Sequence, residues 1–385
     1  MLNSISKVLE KIVSNRLISH FELNNIFSNN QYAYRKGRGT DLAITKFTDD
    51  VLNKFDAGQN TLAIYLDLTR AFDCVNHSIL IQKLEHYGIS GEAINWFKDY
   101  LSNRKYFVTY DGARSRARNV NIGVPQGSIL GPFLFLIYIN DLINSVQRGT
   151  QLLFADDANH YQSGEDVMYL IKNVNNELKS ITAWLRCNKL SLNVIKTEAM
   201  IFARNNLHYP LPPIILDGTP IPYSYSVKFL GVIIDHKLNW KEHIRKVQNK
   251  LSNICGVLYT IRNKISSNIA RQIYLSLALP YLTYCNIVWS SASPSHFQSL
   301  ISTQKKIIRL ISQKRRNTHT NPLFIDLKLL KFDEICKMNL ILFVFKSINN
   351  FIPSPITFEF RIHGPYNIRN REPPNWRTDH EITLT

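Results

Sequence analysis

The chain has few cysteines and no long apolar run. Its 385 residues include five cysteines, which are scattered without a CxxC pair or a histidine cluster. This spacing argues against a disulfide framework or a zinc site, and it suits a reducing compartment. The longest apolar stretch, residues 129–139, is too short to span a bilayer. Residues 1–17 are charged and amphipathic, so we expect no signal peptide.

Acidic residues are scarce in the second part of the chain. Residues 237–385 contain 22 Lys and Arg against 8 Asp and Glu, a net charge of +14, whereas residues 1–236 contain 24 against 21, a net of +3. Such asymmetry is typical of a polyanion-binding surface. Nucleic acid is a better candidate than a membrane, because no basic amphipathic anchor stands out. The densest cations are Lys305, Lys306, Arg309, Lys314, Arg315 and Arg316.

The apolar periodicity also divides the chain. With 45% apolar residues, the chain can build two or three domains around a sizeable core. Strand-like and helix-like segments alternate up to about residue 236. The tail after Pro353 is rich in Pro, Asn and Arg, and we expect it to be flexible. Between these parts the pattern predicts long helices at about 241–263, 268–284, 296–312 and 330–349.

Two adjacent aspartates, Asp156 and Asp157, follow an apolar strand-like run and precede a second one. This pattern predicts a β-hairpin with both carboxylates at its tip. Neighbouring side chains on a strand point in opposite directions unless a tight turn redirects one of them. Such a tip suits a hard divalent cation such as Mg²⁺. Taken alone, an Asp-Asp pair is more often a solvated turn, as we expect for Asp49 and Asp50 on a predicted helix surface.

Two upstream stretches contain further candidate site residues. Residues 61–68 form an apolar strand in which Asp67 lies near the carboxyl end. A buried carboxylate there is costly unless it is hydrogen-bonded or bound to a metal. Residues 123–128, GVPQGS, predict a tight turn in which Gly123 and Gly127 let a base or sugar approach the backbone closely.

A third stretch, residues 30–40, combines cations with glycines. Arg35, Lys36 and Arg38 flank Gly37 and Gly39 in a loop that could close on a triphosphate. An ordinary basic surface loop explains this stretch at least as well when it is taken alone.

Five motifs occur in order along the chain: LDLTRAFD at 66–73, GVPQGSILGP at 123–132, FADD at 154–157, LSLNVIKT at 190–197 and KFLGV at 228–232. Together they resemble the reverse transcriptases, and most closely those of non-LTR (LINE-like, jockey-type) retrotransposons. Downstream, YLTYCNIVW at 281–289 and QKKIIRLI at 304–311 also look like this group. The resemblance covers about residues 1–352.

The resemblance implies an α+β fold, with a right-hand polymerase palm and partial fingers at 1–236. An all-helical basic thumb at 237–352 and a flexible tail at 353–385 follow. The implied activity is RNA-directed DNA polymerisation, in which a DNA primer on an RNA template attacks the α-phosphate of a dNTP. Two Mg²⁺ ions, or Mn²⁺, are the implied cofactors. The implied location is a nuclear or cytoplasmic ribonucleoprotein.

The resemblance also assigns roles to single residues. Asp67, Asp156 and Asp157 hold the metal ions, and carboxylates from two separate strands are what two-metal phosphoryl transfer requires. Lys196 protonates the leaving pyrophosphate, and Phe72 excludes a ribose 2′-hydroxyl. The remaining roles are triphosphate contact by Arg35, Lys36 or Arg38, template and base-pair contact by Gln126 and Gly127, and primer grip by Phe229, Leu230 and Gly231.

Relatives of this kind carry a further fingers segment and an endonuclease domain before the position of Met1, so we expect this chain to be a fragment. The motifs show no catalytic lesion. Two other functions stay open: a domesticated RNA-binding or maturase-like protein with an idle site, and an RNA-templated RNA polymerase. Phe72 makes the second of these less favourable.

Overall fold

The computed structural model describes residues 4–102, 104–204 and 210–353. Its helices, numbered in chain order, are α1 Ser4–Leu23, α2 Thr40–Asp56, α3 His77–His86, α4 Glu92–Leu101, α5 Gly131–Ile139, α6 Val167–Cys187, α7 Lys241–Ile261, α8 Ser267–Ile273, α9 Leu279–Thr283, α10 Asn286–Trp289, α11 Pro294–Ile311, α12 Thr320–Asp326 and α13 Phe332–Ile348. Short 3-10 turns lie at Ala71–Cys74, Asn140–Ser145 and Val194–Lys196, and a π-helical turn spans Tyr274–Ala278.

The strands are all antiparallel to their partners. In chain order they are β1 Asn60–Asp67, β2 Lys105–Tyr106, β3 Thr109–Tyr110, β4 Ala113–Arg114, β5 Arg118–Asn119, β6 Thr150–Phe154, β7 Asp157–Gly164, β8 Glu198–Phe202, β9 Ile214–Leu216, β10 Thr219–Ile221, β11 Ser226–Phe229 and β12 Val232–Asp235.

The first of two compact units contains the chain up to Arg35 and residues Gln59–Ser224. A four-stranded sheet in the order β6-β7-β1-β8 forms its centre. Leu62, Ile64 and Leu66 of β1 share one face of the sheet and join a hydrophobic core that includes α5 and α6. Side chains alternate along a strand, so Asp67 lies on the opposite face.

Helix α5 lies fully inside the first core. Its sequence, GPFLFLIYI, is apolar all round, which is typical of a fully buried helix. Leu134 to Ile139 are all buried, and Pro132 occupies the first turn, where its missing N–H costs no hydrogen bond. The apolar stretch at residues 129–139 therefore forms α5 over most of its length, and the chain continues as a 3-10 turn.

The second compact unit contains Lys36–Gly58 and the chain from Tyr225 onward. Helices α7 and α11 pack against each other, and the hairpin β11–β12 contacts α7. Aromatic rings fill part of its core: the Trp289 ring stacks on Phe332 with centroids 5.6 Å apart. The predicted long helices at 241–263 and 296–312 are confirmed to within two residues.

The predicted helix at 268–284 is not continuous. It forms α8, the π-helical turn and α9. Pro280 explains the interruption, because proline lacks an N–H and its ring clashes with the carbonyl four residues earlier in a regular helix. A π-helical turn accommodates one extra residue at such a point. Helix α12 was not predicted.

The compact units differ from the predicted domain ranges, 1–236 and 237–352. Helix α2 packs against α10, and the Phe47 ring lies 6.5 Å from the Phe229 ring, so residues 36–58 belong to the second unit. The change from the first unit falls at Tyr225 rather than after residue 236. The names fingers, palm and thumb for these ranges stay predictions. The predicted flexible tail lies largely outside the described residues.

The α+β class is confirmed. Among the residues that the structure describes, no helix combines the length and the apolar character needed to cross a membrane.

Candidate active site

The Asp-Asp pair lies at the tip of the hairpin β6–β7, as the sequence predicts. Phe154 pairs with Asp157 across the hairpin, which leaves Ala155 and Asp156 as a two-residue turn. Ala155 has a φ of 55°, the positive value that a tight hairpin turn requires at its first residue. The turn therefore separates the directions of the two neighbouring carboxylates.

Asp67 ends β1 beside this tip. Its Cα atom pairs with that of Asp157 in the antiparallel register, so both side chains lie on the same face of the sheet. Burial raises the pKa of the half-buried Asp156 carboxyl, and the negative charge of Asp67 raises it further. The structure thus brings Asp67 next to both other aspartates, although 89 residues separate it from Asp156.

The donor chemistry of this edge fits a divalent cation. Carboxylate oxygens are the ligands that Mg²⁺ prefers, and an upward pKa shift from neighbouring negative charge is what a bound cation reverses. The three predicted metal ligands, Asp67, Asp156 and Asp157, converge less closely than expected. Within residues 4–102, 104–204 and 210–353, no three His, Cys, Asp or Glu side chains converge tightly enough to hold one metal ion. Asp67 and Asp156 are therefore the pair that the electrostatics supports, and Asp157 is exposed beside them.

The segment before β8 closes the same end of the sheet. The backbone N–H of Asn193 donates to the carbonyl of Asp67 at 2.8 Å, and Leu192 forms an isolated bridge with Leu68. Lys196 follows in the 3-10 turn and is exposed. Strand β8 begins at Glu198, two residues after Lys196. Lys196 consequently belongs to the rim near Asp67 rather than to the sheet.

Phe72 lies in the 3-10 turn that follows Asp67. Its ring stacks on Phe135 of α5, with centroids 4.4 Å apart, and the side chain is half-buried. Part of the ring is thus held by the core and part remains accessible. This position fits both a packed residue and a gate.

The turn at 123–127 packs against Phe72 and its neighbour. The Val124 N–H donates to the Phe72 carbonyl at 3.0 Å, and the Gln126 side-chain amide donates to Asp73 at 3.1 Å. The expected role of Gly123 was wrong. A Cβ at Gly123 lies 2.7 Å from the Asp73 carbonyl oxygen, so this glycine permits backbone packing and not ligand approach. Gly127, in contrast, faces open space, as expected for a contact surface.

The structure does not favour triphosphate contact by Arg35. Its guanidinium forms two 2.7 Å bonds to the Glu22 carboxylate, lies over the Phe27 ring and is buried. Such a bidentate, stacked pair is a structural contact. Lys36 is exposed, and Arg38 lines a cavity of about 550 Å³ within the second unit.

The FLG motif forms a second two-residue turn, between β11 and β12. Leu230 and Gly231 both have positive φ values, 46° and 85°. The Tyr284 hydroxyl donates to the Leu230 carbonyl at 2.6 Å, and Lys246 donates to that of Gly231 at 3.3 Å. Phe229 is buried beneath the turn. The predicted primer-grip residues therefore form a hairpin tip, and Gly231 at this tip has no side chain.

Two supporting residues were missed from the sequence. The Gln31 side-chain oxygen accepts from the N–H groups of Ala33 and Ala155, at 2.9 and 3.2 Å, and so holds the aspartate turn from behind. The buried Glu10 accepts from Ser128 and from the Ile129 N–H, which fixes the start of α5. Nothing local distinguishes either residue, since both stand among ordinary polar positions.

Known proteins similar to this chain are encoded by mobile elements. It is 28% identical over 345 residues to "Probable RNA-directed DNA polymerase from transposon X-element" of Drosophila melanogaster, covering 88% of this chain and 38% of that protein. It is 27% identical to "RNA-directed DNA polymerase from mobile element jockey" of Drosophila funebris, over 87% of this chain and 37% of that protein. The chain thus spans less than two fifths of the length of these relatives.

Among solved structures, the chain is similar to telomerase from Candida tropicalis in complex with the TWJ fragment of telomeric RNA. The TM-score is 0.45 at 11% identity, over 88% of this chain and 57% of that one. Apo telomerase from the same organism gives a TM-score of 0.43 at 12% identity, over 89% of this chain and 59% of that one.

The match at family level covers the aspartate hairpin, the GVPQG turn and the FLG hairpin together. Residues 1–234 match the family described as reverse transcriptase (RNA-dependent DNA polymerase), which is more than half of the chain. The similarity to non-LTR retrotransposon proteins that the motifs indicate is confirmed. The chain therefore belongs to the reverse transcriptase (RNA-dependent DNA polymerase) family.

Proposed function

We propose that this chain carries the RNA-directed DNA polymerase activity of a non-LTR retrotransposon, with an RNA template, a DNA primer and dNTPs as substrates. One observation carries the proposal: Asp67, at the end of β1, is the cross-strand partner of Asp157, and Asp156 lies in the adjoining hairpin turn. Nucleotidyl transfer needs this arrangement, because charge develops on both the attacking and the leaving oxygen.

Asp67 and Asp156 are the proposed holders of two divalent cations, with Asp157 completing the carboxylate set and Mg²⁺ preferred for its oxygen ligands. When bound, the cations supply Lewis-acid stabilisation of the α-phosphate and lower the pKa of the primer hydroxyl. The protein's own contribution is positional. Gln31 holds the Ala155–Asp156 turn, which adjoins the end of β1 at Asp67.

The remaining predicted residues are proposed to contact the substrates. Lys196 is proposed to give a proton to the leaving pyrophosphate, and Lys36 and Arg38 are the candidates for triphosphate contact. Gln126 and Gly127 are proposed to border the template and the new base pair, and the turn at 229–231 the primer. The net charge of +14 at residues 237–385 supports phosphate-backbone binding by the C-terminal helices.

The test is primer extension on an RNA template with all four dNTPs and Mg²⁺. Asp67→Asn and Asp156→Asn should each lower kcat by at least about a thousandfold, because metal-assisted charge stabilisation is worth several kcal/mol. Asp49→Asn, in the other Asp-Asp pair, is the matched control and should retain activity. The mutants should still bind template-primer.

An inactive parent chain that binds RNA would instead favour the domesticated, maturase-like function. Equal loss of activity in Asp49→Asn and Asp156→Asn would remove the special role of the hairpin tip. We also propose that the chain works beside an endonuclease domain in a nuclear or cytoplasmic ribonucleoprotein, as the resemblance implies.

Phe72 tests the choice between DNA and RNA as product. As a gate, Phe72→Val should raise ribonucleotide use relative to deoxyribonucleotide use, since discrimination by exclusion is lost. If Phe72 is instead a core residue packed on Phe135, the substitution should lower extension with both nucleotides alike. It should also cost up to about 3 kcal/mol of stability. The measurement is the ratio of kcat/KM for dNTP and rNTP before and after the substitution. An unchanged ratio would leave Phe72 as a core residue only.

A further inference from the structure

The segment between α4 and the GVPQG turn forms an exposed arm, defined here as residues 104–120. Within it, β2 pairs with β5 and β3 with β4, around a turn at Asp111 and Gly112. Both turn residues have positive φ values, 47° and 77°, as the Asp-Gly hairpin signal predicts. Every residue from Lys105 to Asn119 is exposed. The arm therefore contributes nothing to the described hydrophobic core.

The exposed side chains of the arm are aromatic and cationic. Tyr110 is 82% exposed, Tyr106 is 52% exposed and Phe107 is 44% exposed. Asp111 is the only acidic residue of the arm. Its cations are Arg104, Lys105, Arg114, Arg116 and Arg118. Tyr106, Phe107, Val108 and Tyr110 are exposed within five consecutive residues, so they form a local cluster and not a single exposed side chain.

The register places rings and cations side by side. Tyr106 and Arg118 are direct cross-strand partners, and the Arg114 guanidinium lies 3.3 Å from the centre of the Phe107 ring. Tyr106 lies in β2 and Tyr110 in β3, and both side chains are exposed on the arm that carries these cations.

The base of the arm connects to the proposed template surface. The Val120 N–H donates to the Arg104 carbonyl at 2.8 Å, and the Arg104 guanidinium donates to the Gly123 carbonyl at 3.4 Å. Gly123 begins the turn that contains Gln126 and Gly127. A strand bound on the arm would thus lie next to this turn.

We propose that the arm binds single-stranded nucleic acid, with bases stacked on Tyr106 and Tyr110 and phosphates held by the arginines. Aromatic rings between cations are the recurring chemistry of such sites, because every base has a face that can stack. A duplex offers phosphates to the arm, but its bases are already stacked on each other and cannot use the rings. The arm is therefore selective for unpaired strands.

The test measures binding without metal ion or nucleotide, so it is independent of the proposed polymerase activity. Fluorescence anisotropy of labelled 20-nucleotide oligouridylate, oligothymidylate and a blunt 20-base-pair duplex gives the Kd of each. Tyr106→Ala/Tyr110→Ala should weaken single-strand binding by about 10- to 100-fold, the range expected for losing stacking partners. Duplex binding should change less than twofold. Tyr169→Ala, another exposed tyrosine of the same unit, is the control and should leave all three affinities unchanged.

The arginines are tested through the salt dependence. Arg114→Gln/Arg116→Gln/Arg118→Gln should reduce the slope of log K against log salt for oligouridylate by about 2, at roughly 0.7 per phosphate. The tyrosine variant should keep the parent slope. Lys172→Gln/Lys179→Gln, two exposed cations of α6, should leave it unchanged.

Three results decide the proposal. Loss of binding with only one of the single strands supports it and identifies whether the ligand is RNA or DNA. Unchanged single-strand affinity in the tyrosine variant overturns it. An equal loss with the duplex also overturns it, because the arm would then read phosphates and not unpaired bases. Thermal melting of each variant verifies that the exposed substitutions leave the fold intact.

Discussion

The two hairpin tips of the molecule are built alike and differ in what they present. Ala155–Asp156 in the first unit and Leu230–Gly231 in the second are both two-residue turns whose first residue has a positive φ. The first tip presents carboxylates. The second presents no ionisable group, because its two residues are Leu230 and Gly231. The Leu230 carbonyl is bonded to Tyr284.

Both tips depend on one side chain that is distant in sequence. Gln31 bonds to Ala155 across 124 positions, and Tyr284 bonds to Leu230 across 54. The difference lies in burial: Gln31 is fully buried, whereas Tyr284 is partly exposed. Since buried donors are costly to leave without partners, the first support should matter more for stability than the second.

The largest effect is expected for Gln31→Leu. The substitution leaves the N–H groups of Ala33 and Ala155 without their acceptor, which should cost about 2–4 kcal/mol of unfolding free energy. It should also lower kcat, because the Asp156 turn loses its support. Urea unfolding and primer extension measure the two quantities. Gln82→Leu, on the exposed side of α3, is the control and should change neither by much.

The next prediction, of intermediate size, concerns the pH dependence of stability that one buried histidine causes in each unit. Burial lowers the pKa of His160 in the first unit to about 4, and burial with Lys246 does the same for His243 in the second. Both stay neutral in the folded protein, whereas the unfolded chain binds protons below about pH 6.5. Stability therefore falls as the pH drops from 6.5 towards 4, by about 2 kcal/mol per histidine between pH 7.5 and 5.0.

His160→Gln and His243→Gln should each reduce the difference in unfolding free energy between pH 7.5 and 5.0 by about 2 kcal/mol. His86→Gln, an exposed position, should leave it unchanged. Denaturant titrations at the two pH values give the answer. If only one of the two variants shows this reduction, the buried histidines of the two units contribute differently to the pH dependence of stability.

The smallest effect is expected for Tyr284→Phe. Loss of the hydroxyl removes the bond to the Leu230 carbonyl at a cost of about 1 kcal/mol. Under the proposed function, KM for template-primer should rise about fivefold while kcat stays constant, because the primer and not the chemistry is affected. Tyr281→Phe, three residues earlier, is the matched control. A fall in kcat with unchanged KM would contradict a primer-positioning role.

Much of the fold and of the site followed from local patterns. The apolar strand before Asp67, the Asp-Asp hairpin and the helices α7 and α11 were predicted because periodicity and turn residues determine them locally.

What could not be predicted depends on packing between distant segments. The assignment of residues 36–58 to the second unit follows from contacts of α2 that no local pattern encodes. The sequence does not show that Arg35 pairs with Glu22, thirteen residues earlier. Gln31 and Glu10 carry ordinary polar side chains, and only the three-dimensional position shows what they support.

The π-helical turn at Tyr274–Ala278 determines the direction of the side chains that follow it along the helix. Each residue of an α-helix advances the chain by about 100°, so one extra residue in a wide turn changes the direction of all later side chains by that angle. Tyr284 lies just beyond α9 and inherits this rotation. Deleting one residue of the turn would keep α8 in place and swing the Tyr284 hydroxyl away from Leu230. The direction of the Tyr284 hydroxyl therefore depends on the number of residues in this turn.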